Sequence, residues 1–247
     1  MKRLILLLAT TLSVNAQNIY FPDPQLKSRL LGIGVASLQQ GNPTQTTASA
    51  DANQDGEISY DEAMSVFGLN LSSSGNQPVI HSIEGLQYFA NLKVLIARGN
   101  SIANISQAPP LLQMMDVSKN QITAINLQQF PQLQNLVLSQ NPIESLDLDE
   151  LPLLRELTIR STPITELDCR TSGILKLNCG NNPQLYYINI QNGQRWSFVT
   201  KSACPLKFDN LPSLGQLCLD AFEVADVNCS GMTTPNVTLY TLPHCAP

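Results

Sequence analysis

The sequence predicts a solenoid of the α/β class: a β-rich stack of nested 20–21-residue repeats with parallel strands, a small helical N-terminal cap and a cysteine-containing C-terminal cap. Three observations predict it. A hydrophobic template returns five times in register, a second apolar pair recurs inside it at the same period, and four of the six cysteines crowd toward the C-terminal end. The 247-residue chain is 43% hydrophobic, enough to bury a sizeable core, yet 13% charged and 6% aromatic. Its formal net charge of −5 supplies no positive field for nucleic acid or anionic lipid, and no Lys/Arg cluster supplies a local one.

The first element, residues 1–16, has the layout of a signal peptide. In "MKRLILLLATTLSVNAQ", Lys2 and Arg3 form a positive start, Leu4 to Leu12 an apolar run, and Val14 and Ala16 a small-residue cleavage pattern ahead of Gln17. The run falls far short of the roughly 20 apolar residues of a spanning helix. The expected product is exported, with no membrane insertion after cleavage.

Residues 17–78 read as an N-terminal cap. "DPQLKSRLLGIGVASL", Asp23 to Leu38, is a helical candidate, and a polar linker follows it. Next comes "DANQDGEISYDEA", which meets every liganding position of the EF-hand pattern. Calcium is a hard cation that takes six to eight oxygens. Asp51, Asn53 and Asp55 supply side-chain oxygens, Glu57 its carbonyl, Ser59 a direct or water-mediated contact, and Glu62 a bidentate carboxylate. Gly56 permits the sharp turn. The stretch "SYDEAMSVFG" predicts an exiting helix stopped at Gly68. No entering helix abuts the loop and no second loop pairs with it. A lone site with three carboxylates implies Ca2+ binding at roughly 10⁻⁴–10⁻³ M and a structural role. The competing reading is an acidic turn without metal.

Residues 79–220 carry the repeats. "LKVLIARGNSI" starts at Leu92, "LQMMDVSKNQI" at Leu112, "LQNLVLSQNPI" at Leu133, "LRELTIRSTPI" at Leu154 and "ILKLNCGNNPQL" at Ile174. The starts differ by 20, 21, 21 and 20 residues, in the leucine-rich-repeat range. Leu95, Met115, Leu136, Leu157 and Leu177 form one interior column, and Ala97, Val117, Leu138, Ile159 and Cys179 the next. Asn100, Asn120, Asn141 and Asn182 fall at the following turn, where an amide bonds backbone groups; Thr162 takes the place of one. Ile125/Leu127, Leu146/Leu148, Leu167/Cys169 and Ile188/Ile190 predict a second extended segment on the far side of each coil. "LKFDNLPSLGQLCL", Leu206 to Leu219, matches "LDLDELPLLRELTI", Leu146 to Ile159, and "WSFV" at 196–199 fits a degenerate coil. About seven coils result.

Cys169 and Cys179 occupy interior column positions and read as buried thiols. Cys204, Cys218, Cys229 and Cys245 admit 3 pairings, among which sequence does not choose. They suit a disulfide-stapled cap over residues 221–247 and the end of the array.

"YFPDPQLKSRLL", then "DANQDGEISYDEA", then "IHSIEGLQYFANLKVL" resembles the N-terminal cap of secreted leucine-rich repeat proteins of Bacteroidota-type bacteria. The resemblance covers nearly the whole chain after residue 16, and the close "LGQLCLDAFEVADV" shares it. It implies a secreted or cell-surface location and a function of binding rather than reaction, with the loop as part of the cap.

A protein-binding or adhesion module is therefore the leading expectation, its partner unidentified. Its surface comprises the strand positions between the core leucines: Val94, Ile96, Arg98, Met114, Asp116, Ser118, Asn135, Val137, Ser139, Glu156, Thr158, Arg160, Lys176 and Asn178. Ile96, Arg98, Asp116, Ser118, Val137, Ser139, Thr158, Arg160 and Asn178 are its foremost candidates. An enzyme is disfavoured: His81 and His244 stand at opposite ends of the array, and there is no H-E-x-x-H, G-x-S-x-G or phosphate-binding glycine loop. A hydrolase built on a carboxylate pair is the weakest reading. A calcium-dependent, dockerin-like assembly module is the alternative, and it predicts duplicated loops and a partner-binding helix pair.

Overall fold

The computed structural model describes residues 17–75, 77–107, 109–149, 151–194, 206–222, 237–241 and 245. The signal segment, 196–199, Cys204, Cys229, His244 and most of 221–247 lie outside them.

Short parallel strands stack one per coil, because no coil can bury its own apolar face alone. β1 (Ala36–Ser37) runs antiparallel to β2 (Gly68–Asn70) and closes the N-terminal edge of the first sheet. From β2 the order continues through β3 (Val94–Ile96), β4 (Met114–Asp116), β5 (Asn135–Val137), β6 (Glu156–Thr158), β8 (Lys176–Asn178) and β10 (Leu206–Lys207), all parallel. Leu95, Met115, Leu136, Leu157 and Leu177 stand in direct register, and both predicted interior columns are buried. Seven parallel strands, the 8-stranded sheet less β1, agree with the expected number of coils.

The far side differs from the sequence expectation. A second sheet is present, but it comprises β7 (Glu166–Asp168), β9 (Tyr187–Asn189), β11 (Gln216–Cys218) and β12 (Thr238–Tyr240). Ile125/Leu127 and Leu146/Leu148 form no strand. Earlier coils make 3-10 turns there, at Leu86–Tyr88 and Leu127–Gln129. The column that follows the far-side segment changes along the array, from Phe89 through Pro109, Phe130 and Leu151 to Ser172, all buried. Far-side strands begin only in the coil that carries Ser172.

Two further expectations are corrected. Leu206 pairs with Leu177 in the first sheet, and Leu217 pairs with Ile188 in the second. The match of Leu206–Leu219 to Leu146–Ile159 is thus half a repeat out of phase. Because β10 pairs directly with β8, no separate rung of the first sheet stands between them, and the expected coil at 196–199 lies outside the described residues. Cys218 bonds Cys245, tying β11 to the C-terminal segment, while Cys169 and Cys179 are free and buried as expected.

In the cap, α1 covers Pro24–Leu30 rather than Asp23 to Leu38, since Gly32 and a left-handed Gly34 (φ 84°) release the chain. α2 covers Tyr60–Met64 and ends before Gly68. Gly68 is not its stop but the first residue of β2, where a Cβ would meet the Pro43 carbonyl oxygen at 1.6 Å. The polar linker therefore lies against the first rung. Among the described residues no helix is long and apolar enough to cross a membrane.

Candidate functional site

The loop is shaped by its own side chains. Asp51 accepts the Gln54 and Gly56 N–H groups at 2.7 and 3.0 Å; Asn53 Oδ1 accepts from Asp55, and Asp55 Oδ1 from Glu57. Gln54 (φ 60°) and Gly56 (φ 82°) are left-handed, which folds the short acidic stretch back on itself. Ser59 caps α2 in a capping box with Glu62. Glu62 also reaches across the loop, its Oε1 accepting the Ala52 and Asn53 N–H groups at 2.9 and 3.1 Å. Burial pushes the Glu62 carboxyl up, but the donors from Ser59, Asn53 and Ala52 outweigh it and hold it below the ordinary carboxylate value.

The donor chemistry suits calcium: every predicted liganding position presents oxygen, and the Glu57 carbonyl accepts no hydrogen bond from the described residues. The side chains are nevertheless engaged locally. Among the described residues no three His, Cys, Asp or Glu side chains converge as a metal-holding group. Glu57 instead sends its carboxylate to Lys27 of α1 at 2.6 Å.

Residues that the sequence reading did not single out bind this cap to the repeats. Asp23 caps α1 through Oδ1 and, through Oδ2, accepts the His81 and Ser82 N–H groups at 2.6 and 2.9 Å in the lead-in to the first full coil. Burial pushes the Asp23 carboxyl up, yet the four backbone donors prevail and hold it below the ordinary carboxylate value. Arg29 donates to the Ser72 and Pro78 carbonyls. The D-P start of a helix was a readable cap signal; its partners 58 and 59 residues away were not.

On the strand face, Arg98 is exposed and Ile96, Ser118, Val137, Ser139, Thr158, Arg160 and Asn178 are half-buried. Two expected exposed positions are buried. Val94, 6% exposed, neighbours Gly68 where the linker packs. Asp116, 1% exposed, lies beneath Arg98, whose Nε donates to it at 2.7 Å, and it also accepts from Ser118 N and Oγ. A carboxylate sinks into this face because three groups satisfy it. Arg160 forms a two-pronged pair with Asp209 and reaches Asn178, and Lys176 pairs with Glu156. The face thus neutralises its own charges. Half-buried Ile96 and Val137 stand on either side of Asp116 in register, and half-buried Met114 lies two residues before it on the same strand.

No protein-family model matches the chain, and no curated protein matches it. Among solved structures, the functional domain of InlJ from Listeria monocytogenes, described as including a cysteine ladder, is similar at TM-score 0.55 and 17% identity. The match covers 83% of this chain and 39% of that one, so the chain spans well under half of its length. The internalin InlF and internalin C2, both from Listeria monocytogenes, match at TM-scores of 0.43 and 0.44 with 17% and 19% identity. They cover 93% and 89% of this chain and 94% of each of theirs, a superposition too loose to build on. The fold is a leucine-rich-repeat solenoid.

Proposed function

We propose that the protein is a non-enzymatic binding module, secreted or held at the cell surface, that presents its strand face to a protein partner. A self-neutralised face with apolar side chains around its buried carboxylate carries this reading: Arg98–Asp116, Glu156–Lys176 and Arg160–Asp209 leave little net charge for a polyanion. Ile96, Met114 and Val137, grouped around Asp116, supply apolar area of the kind that a protein interface desolvates. Binding of extracellular proteins by the full chain is the assay. Met114→Lys with Val137→Glu should abolish the binding, and Gln128→Lys on the far side should not. Binding that survives on the double variant refutes the assignment of this face.

In the same reading the loop holds a structural Ca2+, with Asp51, Asn53, Asp55, Glu57, Ser59 and Glu62 as donors. The Glu62 bonds to Ala52 and Asn53 are local ties that give way to the ion. With a dissociation constant of about 10⁻³ M, about 10 mM calcium stabilises the chain by about 1.4 kcal/mol. The test is thermal unfolding with calcium and with chelator, beside Glu62→Gln, which keeps a capping-box side chain while removing the charge. A midpoint indifferent to calcium in the native sequence removes the ion from the account. The dockerin-like alternative calls for a partner-binding helix pair, whereas α1 has seven residues and α2 five.

A further inference from the structure

Loops of this kind ordinarily pair with a second loop, each bracing the other through a short antiparallel stretch at the eighth position. Among the described residues this loop has no such partner, yet its eighth residue is braced. Ile58, the residue at that position, accepts a hydrogen bond from Ile19 N at 2.8 Å, and Tyr60 N donates to Gln17 O at 3.1 Å. Asn18 stands opposite Ser59 in an antiparallel bridge. Ile19 and Ile58 are both buried in the main core.

We propose that Gln17–Ile19 is the positioning partner of the calcium loop, standing where a second loop would stand, so that ion binding and the seating of this N-terminal strand are coupled. The inference rests on the calcium reading above. Ile58 lies between Glu57, whose carbonyl is a donor to the ion, and Ser59, whose side chain is another. Fixing the backbone on both sides of Ile58 therefore sets the aim of both. The same strand leads through Phe21, packed at 6.5 Å between ring centroids against Phe89, to Asp23 at the start of α1. A chain stretch seated by the ion is thus joined without interruption to the contacts that close the first coil. Coupling of this kind is reciprocal: if calcium orders the strand, the strand must raise the affinity for calcium by the same factor.

Two measurements on the full chain test it. Calorimetric titration with calcium chloride compares the native sequence with Ile19→Pro, which deletes the Ile19 N–H, and with Ile19→Val, which keeps it. The expected result is about a tenfold loss of calcium affinity in the proline variant and a loss below about twofold in the valine variant. Equal affinity in all three overturns the coupling. Backbone amide exchange on the native sequence needs no substitution and stands if the proline variant misfolds. Calcium should slow exchange at Ile19 and Tyr60 by about tenfold. Calcium uptake that leaves both amides unchanged overturns the coupling alone, and a native chain that takes up no calcium overturns the loop site and the coupling together.

Discussion

Replacing Asn141 by alanine should destabilise the protein more than the same change at Asn120, although both are buried amides at the same turn of successive coils. Asn120 Nδ2 donates to the carbonyls of Ala97 and Val117 at 2.9 Å each, and its Oδ1 accepts from Ile102 N at 3.0 Å. Asn141 makes the same three bonds, to Val117, Leu138 and Ile122 N. The ladder shares its carbonyls, however. With Asn120 gone, Ala97 O keeps Asn100 and Val117 O keeps Asn141, so Ile102 N–H alone is orphaned. With Asn141 gone, Val117 O keeps Asn120, but Leu138 O has no second amide, because Thr162 occupies the next rung and donates to Asn182 instead. A buried polar group stripped of its partner costs about 1–3 kcal/mol, and a lost second bond about 0.5–1.5 kcal/mol. Asn120→Ala should therefore cost about 2–6 kcal/mol, and Asn141→Ala, with one second bond exchanged for one orphaned group, about 1 kcal/mol more. Urea unfolding followed by far-ultraviolet circular dichroism, at one calcium concentration, measures both. Equal losses, or a larger loss at Asn120, would refute the shared-carbonyl argument.

Thr162→Asn should restore the missing rung by offering an amide to Leu138 O and an acceptor to Ile143 N, raising stability by about 1 kcal/mol in the same urea assay. Gly85→Ala should lower the thermal midpoint, since Gly85 sits at φ 106° and a Cβ there would meet the Phe21 ring at 2.5 Å. The left-handed backbone alone costs about 1–2 kcal/mol, and displacing the ring adds to it. The Asp23 carboxyl is held below its ordinary value in the folded chain, so its contribution is fully present above the unfolded value and is lost as pH falls through the folded one. Acid titration of stability should show this loss beginning below about pH 4, and Asp23→Asn should flatten that part of the curve.

The repeats were legible because each column position is stated several times over: a substitution such as Met115 or Cys179 is outvoted by its neighbours. The same redundancy misled at Leu206–Leu219. Both halves of the coil carry alternating apolar residues followed by L-P-x-L, so a match by eye fits either phase, and strand pairing of Leu206 with Leu177 decides it. The far-side strands were partly legible for a related reason. Alternation at Ile125/Leu127 is as good as at Leu167/Cys169, yet only the second pair lies in or next to a strand, so the apolar alternation alone does not separate the two. Asp116 was read as exposed because alternation places it outward; nothing local says that Arg98, one coil away, folds over it. Loop residues were legible one by one, whereas the bracing strand at 17–19 was not, since a three-residue pairing carries no pattern of its own.

An array of parallel strands has an open edge at each end, and the N-terminal one is closed here by segments that make few contacts of their own. β1 offers two residues to β2, α1 has seven residues and α2 five. None is long enough to stand alone in water. What holds them is a closed circuit of specific bonds. Ile19 bonds the loop at Ile58, Lys27 of α1 bonds the loop at Glu57, Asp23 bonds the coil at His81 and Ser82, and Arg29 bonds the turn at Ser72 and Pro78. The loop meets this circuit at two of those points. A calcium ion that fixed Asp51–Glu62 would therefore fix α1 and the N-terminal strand with it, and through Asp23 the start of the first full coil. The interior coils need no such device, because each has a neighbour on both sides. On the proposed calcium reading, a single ion at the boundary would act on the one loose end that this loop touches, and an ion within the repeats would have none to hold.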